Sequence, residues 1–216
     1  MNKKVISYSL WGDDPKYTVG AIENAKLAQE IYPGWNCYFF IDKNVSTDII
    51  DALSSIENTK IILKNEFADW RGMFWRFETS YDPEVYVSIF RDTDSRLNIR
   101  EKLAVDEWLD SGKSFHIMRD HPYHKFPILG GMWGYKNTGK YNMEKLFSSF
   151  TPDNKYGTDY IFLGGVLYPL IQDDKLVHDE FFDGQPFPSE RQNKEFVGDV
   201  FDSQNNRHPE YYKYIP

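Results

Sequence analysis

The chain has 216 residues, a formal net charge of −8 and a hydrophobic content of 41%, which predicts one domain over residues 1–216 with a sizeable core. The acidic balance argues against nucleic acid as a partner, because no basic stripe could neutralise a phosphate backbone. No apolar run is long enough to span a bilayer, and the single Cys37 cannot form an internal disulfide. We therefore expect a cytoplasmic protein with no signal peptide or transmembrane segment.

Strand-like and helix-like segments alternate along the first third of the chain. Apolar runs predict strands over residues 5–10, 37–41 and 60–63. Between them, Pro15 starts one amphipathic helix, which Pro33-Gly34 stops, and a second helix is predicted over residues 48–56. Such alternation predicts a doubly wound, mostly parallel sheet flanked by helices.

Residues 67–80 are predicted to form a further helix that is largely buried, because aromatic residues dominate it. This helix contains Arg71 and Arg76. A buried arginine needs an anionic partner, and for Arg71 a structural ion pair is an equally good explanation. Arg76 is the better functional candidate, since a short connection places the helix beside the end of the next strand.

That next strand carries the strongest motif. A run of β-branched and aromatic residues over 85–90 predicts a buried central strand, and Asp92 and Asp94 follow it. In an open α/β sheet, ligands bind outside the carboxyl ends of the strands. Residues i and i+2 of an extended chain point the same way. Two carboxylates on one side of such a cleft suit a divalent cation that carries a phosphate group.

The second half of the chain predicts fewer regular elements. Helices are predicted over residues 100–111, 142–150 and from about 158 to 168, and strands over residues 114–118 and 175–178. A polar loop follows the first of these strands, and polar loops at strand ends often carry function. Gly130-Gly131 allows either close backbone approach or a tight bend. The aromatic tail shows no periodicity and is predicted to lie over the domain.

Several features then occur in a definite order. They are the first loop after residue 10, Gly72-Met73-Phe74-Trp75-Arg76-Phe77, Phe90-Arg91-Asp92-Thr93-Asp94-Ser95-Arg96, Gly130-Gly131, a helix led by Asp159, and Val177-His178-Asp179. Their order resembles the GT-A fold of nucleotide-sugar-dependent glycosyltransferases, especially small viral and bacterial enzymes that build surface glycans. The resemblance covers most of the chain and implies a single GT-A (Rossmann-like) domain.

The resemblance also implies roles for individual residues. Asp92 and Asp94 would bind the metal, with Asp94 the more direct ligand, and His178 would be the third protein ligand. Arg76 would contact Asp92 or the donor sugar and contribute to catalysis. The residues implied to hold the donor nucleotide are Ser7, Tyr8, Leu10, Trp11 and Thr93.

Further positions follow from the same resemblance. Asp159 and the Gly130-Gly131 turn would face the transferred sugar, and the loop with Asp120 and His121 would face the acceptor. Asp120 and Asp159 are then the catalytic carboxylates that could stabilise the sugar cation or take the acceptor proton. Related retaining enzymes often carry Gln where this chain has Tyr160, so the stereochemical course stays open.

These residues predict a hexosyltransferase with a nucleotide-sugar donor, by family prior a UDP-sugar, and a carbohydrate acceptor. A divalent metal on the diphosphate would stabilise the leaving group. An Asp, Asp and His ligand set favours Mn²⁺, with Mg²⁺ the second choice.

Three alternatives use some of the same residues. A phosphotransferase or phosphatase could use Asp92 as nucleophile, but such enzymes place the motif on their first strand. A nucleotidyltransferase would need a Gly-rich basic loop after the first strand, and Ser9-Leu10-Trp11-Gly12-Asp13 is neither. A non-catalytic sugar-binding domain would leave the metal ligands without a role.

Overall fold

The computed structural model describes residues 3–66 and 68–216. Within them, seven strands form one sheet in the order β3-β2-β1-β4-β6-β5-β7. All neighbouring strands run parallel except β6, which is antiparallel to both β4 and β5. The strands are β1 (Lys3–Leu10), β2 (Asn36–Asp42), β3 (Thr59–Lys64), β4 (Val85–Phe90), β5 (Phe115–Arg119), β6 (Trp133–Lys136) and β7 (Lys175–Asp179).

Helices cover both faces of this sheet. The α-helices are α1 (Pro15–Ile31), α2 (Thr47–Ser54), α3 (Ile99–Asp110), α4 (Met143–Ser148), α5 (Thr158–Phe162), α6 (Tyr168–Leu170) and α7 (Pro209–Tyr212), with a 3-10 helix over Trp70–Ser80 and a π-helical turn over Leu163–Leu167. No helix in the described part of the chain has the length and apolarity that a bilayer crossing requires.

The core is divided by the sheet. One apolar cluster joins β1 and β2 to α1 and α3, with Trp108 of α3 fully buried. A second cluster joins β4 to β6 and packs against the 3-10 helix and α5, with Phe77 at its centre. The predicted α/β class and mostly parallel sheet are therefore confirmed.

The sheet order reverses beside β1, and this reversal positions the site. β2 and β3 extend from one edge of β1, whereas β4 pairs with its other edge, in register from Val5↔Ser88 to Ser7↔Phe90. The connections that leave the carboxyl ends of β1 and β4 therefore diverge to opposite sides of the sheet and open a crevice between them. Asp92 and Asp94 follow β4 directly into this crevice.

Three elements differ from the sequence prediction. The strand β6 was not predicted from the sequence, because its four residues carry little pattern. The predicted helix over 67–80 is a 3-10 helix from Trp70, and Phe67 lies outside the described residues. Ser9 Oγ accepts the Arg76 N–H at 3.0 Å, and such side-chain bonds compete with regular helical ones. The predicted helix after 157 is interrupted by the π-helical turn.

The C-terminal tail lies over the body of the domain, as predicted. The Val197 N–H donates to Asp120 at 2.9 Å, and the Phe201 N–H donates to the Asp94 carbonyl at 2.8 Å. Val200 also forms an antiparallel bridge with Ser95. The tail is thus attached to the segment that carries the paired carboxylates.

Candidate active site

A cavity of about 200 Å³ lies at the carboxyl ends of β1 and β4. Of the residues predicted to bind the donor or metal, six line this first cavity: Leu10, Trp11, Arg76, Asp92, Thr93 and Asp94. They come from three elements that are distant in sequence, so the fold itself assembles them. The remaining lining residues are Ser9, Tyr17, Trp70, Met73, Tyr156 and Tyr160.

Asp92 and Asp94 differ in exposure and in partners. The Asp92 side chain is 49% exposed, and one of its oxygens accepts a hydrogen bond from Arg76. Asp94 is largely buried, and the Lys16 ammonium lies 2.7 Å from its Oδ2. Burial raises the pKa of Asp94, and the nearby charge of Asp92 raises it further, although Lys16 opposes both. The pair is therefore a centre of negative charge that favours a cation.

Arg76 contacts the Asp92 carboxylate of this pair from the buried side of the site. Its side chain is buried and donates to Asp92, to the Arg91 carbonyl at 3.2 Å and to Asp159 at 3.3 Å. The Ser7 hydroxyl donates to the Arg76 carbonyl at 2.6 Å, so β1 fixes the backbone of the residue as well. The predicted contact between Arg76 and Asp92 is present, and the Ser7 side chain contacts the Arg76 backbone and lines neither cavity.

Asp159 does not face either cavity. Its side chain is fully buried behind Arg76, and burial raises its pKa to about 6, with Asp92 adding to the shift and Arg76 opposing it. The prediction that Asp159 faces the transferred sugar is therefore not met in this structure. Its position at the start of α5 instead anchors the second nitrogen of the Arg76 guanidinium.

Gly130 and Gly131 lie where there is no room for a side chain. A Cβ added at Gly131 would lie 2.1 Å from Asp92 Oδ2, and one added at Gly130 would lie 2.1 Å from Asp159 Oδ2. Neither contact could be relieved without moving a carboxylate that binds Arg76. The close approach predicted for Gly130-Gly131 is thus an approach to the two acidic side chains.

We expect Gly131→Ala to weaken nucleotide binding by more than tenfold, because the new methyl group must displace the Asp92 carboxylate. The measurement is nucleoside diphosphate affinity in the presence of Mn²⁺. Gly165→Ala is the matched control, since a Cβ there meets nothing within 4 Å. Equal affinities for the two variants would contradict the assignment.

Tyr8 lies in the core rather than at the cleft. Its ring stacks on Phe39 with centroids 4.8 Å apart and is fully buried. Burial raises the pKa of Tyr8 well above its usual value. The prediction that Tyr8 contacts the nucleotide is not supported, and the aromatic wall comes from other residues. Trp70 meets the ring of Trp11 at 6.4 Å and that of Tyr156 at 5.1 Å, both edge to face.

A second cavity of about 680 Å³ adjoins the first and shares Asp92, Asp94, Tyr156 and Tyr160 with it. Its other walls mix aromatic, aliphatic and small residues. They are formed by the segment after β4, the loop after β5, the segment before β6, α5 and the tail, through Ser95, His121, Tyr123, His124, Phe126, Leu129, Met132, Gly157, Ile161, Phe196, Gly198, Val200 and Tyr211. His121, which was predicted to face the acceptor, lines this second cavity.

Asp120, in contrast, is a structural residue. Its carboxylate is fully buried and accepts hydrogen bonds from Arg100 at 2.9 Å and from Arg191 at 2.7 Å, besides the bond from Val197. It lines neither cavity. The structure does not bring the predicted catalytic Asp120 to the cleft, because the tail covers the strand end from which it projects.

His178 is not brought to Asp92 and Asp94, which corrects the predicted metal triad. Its Nδ1 lies 2.8 Å from His116 Nε2, and its Nε2 lies 3.2 Å from the Gln185 amide nitrogen and 3.5 Å from Glu107. No group of three or more His, Cys, Asp or Glu side chains within residues 3–66 and 68–216 is placed to hold a metal. Any metal at this site would have two protein carboxylates.

The His116–His178 pair should make stability depend on pH. Burial lowers the pKa of both imidazoles, most strongly that of His116, which also stacks on Trp108. The unfolded chain then binds more protons than the folded one below a pH of about 6.5. Folded stability should therefore decrease as the pH falls through that value. We expect melting temperature to fall less between pH 7 and pH 5 in His116→Phe than in the wild type, whereas parallel profiles would contradict this.

No protein-family model and no curated protein sequence matches the chain. Solved structures do resemble it. A glycosyltransferase involved in glycosylation of the major capsid of PBCV-1 aligns with a TM-score of 0.53 and 15% identity, over 82% of this chain and 81% of that one. A Pyrobaculum calidifontis mannosyltransferase, solved with GDP-Man and Mn²⁺, aligns with a TM-score of 0.55 and 9% identity, over 83% of this chain and 56% of that one.

A third similar structure is named as a synthase and not as a glycosyltransferase. It is 4-diphosphocytidyl-2C-methyl-D-erythritol synthase from Anaerococcus prevotii, with a TM-score of 0.54 and 10% identity, over 88% of this chain and 94% of that one. At such identities the likeness establishes the fold. The fold is GT-A, as the sequence resemblance implied.

Proposed function

We propose that this chain is a metal-dependent glycosyltransferase that transfers a hexose from a nucleoside-diphosphate sugar to a carbohydrate acceptor. The observation that carries the proposal is the position of Asp92 and Asp94, which lie in the wall common to two adjoining cavities. A diphosphate held there would have its nucleoside on one side and its sugar on the other. The GT-A fold of the neighbouring structures supports the same reading.

We assign the nucleoside diphosphate to the first cavity. Its wall of Trp11, Trp70 and Tyr156 offers ring faces and edges to a base and a ribose. Asp92 and Asp94 would hold Mn²⁺ or Mg²⁺, which keeps positions open for diphosphate oxygens and water when only two carboxylates bind it. When bound, the metal would stabilise the negative charge of the departing diphosphate. We propose a uridine base from the family resemblance alone.

The choice between the two metals changes once His178 is removed from the ligand set. A mixed set of oxygen and nitrogen ligands favoured Mn²⁺, but the remaining protein donors are both carboxylate oxygens. Mn²⁺ is bound in the structure of the Pyrobaculum mannosyltransferase. Both metals therefore belong in every test.

We assign the carbohydrate acceptor to the second cavity. Tyr123 and Phe126 line it and are about half exposed, and the Phe126 ring stacks on Tyr160 at 4.7 Å. Aromatic faces of this kind bind the apolar faces of sugar rings. Because Asp120 and Asp159 are buried, we assign them structural and positioning roles, and Arg76 becomes the residue that orients Asp92.

The proposal is tested by incubating the protein with UDP- and GDP-linked hexoses and a panel of oligosaccharide acceptors, with Mn²⁺, Mg²⁺ or chelator. We expect release of nucleoside diphosphate together with a gain of one hexose in the acceptor mass. A nucleotidyltransferase would instead release pyrophosphate from a nucleoside triphosphate and a sugar phosphate. A phosphatase would release inorganic phosphate, and a binding domain would bind without turnover.

A further inference from the structure

Lys16 is the basic residue closest to the more buried carboxylate of the site. It follows Asp14, whose side chain caps α1 by accepting the Lys16 N–H at 2.9 Å. The Lys16 ammonium lies 2.7 Å from Asp94 Oδ2, and its side chain remains 30% exposed. It also lies 5.0 Å from the ring centroid of Tyr17, which lines the first cavity. Lys16 is therefore at the edge of the proposed diphosphate site.

The middle of α1, one and two turns after Lys16, is fixed against the segment that carries Asp94. A Cβ added at Gly20 would lie 2.0 Å from the Thr93 carbonyl oxygen. Asn24 donates to the carbonyls of Thr93 and Ser95, at 3.3 Å and 2.8 Å. The backbone of Lys16 therefore cannot move away from Asp94 without breaking these contacts. Any rearrangement must occur in the flexible four-carbon side chain.

The two carboxylates consequently have cationic partners of unequal mobility. Arg76, beside Asp92, is buried and donates hydrogen bonds to three groups. If it moved away, the carboxylate of Asp159 would be left as a buried charge without a cationic partner. Lys16, beside Asp94, is partly exposed and has a single short ion pair. A divalent cation that binds both carboxylates would repel both basic groups, and Lys16 is the one that is free to move.

We propose that Lys16 competes with the metal for Asp94 and, once displaced, binds the donor diphosphate. The proposal rests on the proposed function, because it requires a metal and a nucleoside diphosphate at this site. It makes Lys16 a positioning residue for the leaving group. It also means that a metal alone should bind weakly, whereas metal and nucleotide together should bind well, since the diphosphate gives the displaced ammonium a new partner.

The test measures two affinities by titration calorimetry in the wild type and in Lys16→Met. For Mn²⁺ alone, the variant should bind about five- to tenfold tighter, because a largely buried ion pair no longer competes and no ammonium repels the metal. For uridine or guanosine diphosphate at saturating Mn²⁺, the variant should bind about tenfold or more weakly, because a charge-assisted hydrogen bond is lost. A loss of folding would weaken both, so opposite changes exclude it.

Two further variants complete the design. Lys16→Arg keeps the charge and should stay near the wild type for both ligands. Lys26→Met is the matched control on the same helix, since Lys26 pairs with Glu23 and is well exposed; it should change neither affinity. Unchanged or equally weakened affinities in Lys16→Met would overturn the role of Lys16 while leaving the donor site intact. Failure of the wild type to bind Mn²⁺ or either nucleoside diphosphate would overturn the donor site and the proposal together.

Discussion

Asp94→Asn should lower the turnover number on the order of a thousandfold, because the metal that stabilises the leaving diphosphate loses its more direct ligand. The same change should leave the melting temperature unchanged or raise it. Burial and the charge of Asp92 raise the pKa of Asp94 in the folded chain, so its ionised form weakens the fold and the neutral amide relieves that cost.

Two comparisons sharpen this prediction. Asp94→Ala should cost more activity than Asp92→Ala, because the buried Arg76 keeps one oxygen of Asp92 occupied, whereas the partly exposed Lys16 can leave Asp94. Asp106→Asn serves as the control, since Asp106 is half exposed and pairs only locally with Lys102 on α3. If Asp94→Asn lost activity and stability in parallel, Asp94 would be a folding residue. Activity close to that of the wild type would remove it from the metal site.

Arg76→Lys should lower turnover at least tenfold and the free energy of unfolding by about 2–4 kcal/mol. Lysine keeps the charge but lacks the planar fork that joins Asp92 to Asp159. A single ammonium can satisfy one carboxylate and leaves the other short of a partner. Because Asp159 is fully buried, a carboxylate there without a partner should lower the stability. Because Asp92 would no longer be oriented, the activity should decrease as well.

Arg71→Lys is the matched control on the same 3-10 helix. Arg71 is about one-third exposed and forms an ion pair with Asp69 at 2.6 Å, as the structural explanation of this residue anticipated. An ion pair of that exposure contributes less than about 1 kcal/mol. Wild-type turnover and wild-type melting in Arg76→Lys would show that the Arg76 assignment is wrong.

The sequence predicted those parts of the fold that depend on local pattern. The apolar runs that became β1, β2 and β4 were evident because a strand buried on both faces is almost entirely apolar. The edge strand β3 is only partly buried, and its short Ile61-Ile62-Leu63 run was sufficient to indicate it. The placement of Asp92 and Asp94 followed from the strand before them and from the rule that ligands bind at carboxyl ends. Both inferences need only neighbouring residues and are met in the structure.

Side-chain direction at the other strand ends could not be predicted in the same way. Asp120 and His178 do lie at or near strand ends, yet the first is sealed by Arg100, Arg191 and the tail, and the second pairs with His116. The His pair depends on β5 and β7 being neighbours in the sheet. That adjacency is a property of topology, and a single sequence carries little signal for it.

Residues missed by sequence reasoning share a similar cause. Lys16, Tyr17 and Tyr156 belong to no motif. Lys16 and Tyr17 reach the cleft because α1 packs against the segment after β4. Tyr156 reaches it because its ring meets Trp70 of the 3-10 helix. The high aromatic content, 17% of the chain, was the one available signal. It indicated that some aromatic side chains would stack on sugar rings, but it did not indicate which side chains.

The most direct test of the central claim is the affinity of the wild-type protein for uridine and guanosine diphosphate, measured by calorimetry in Mn²⁺, in Mg²⁺ and in chelator. A net-acidic protein whose cleft contains Asp92 and Asp94 should repel a diphosphate unless a cation lies between them. We predict clear binding of one nucleotide with metal and loss of most of the affinity in chelator. Equal affinity in chelator and in Mn²⁺ would contradict the account.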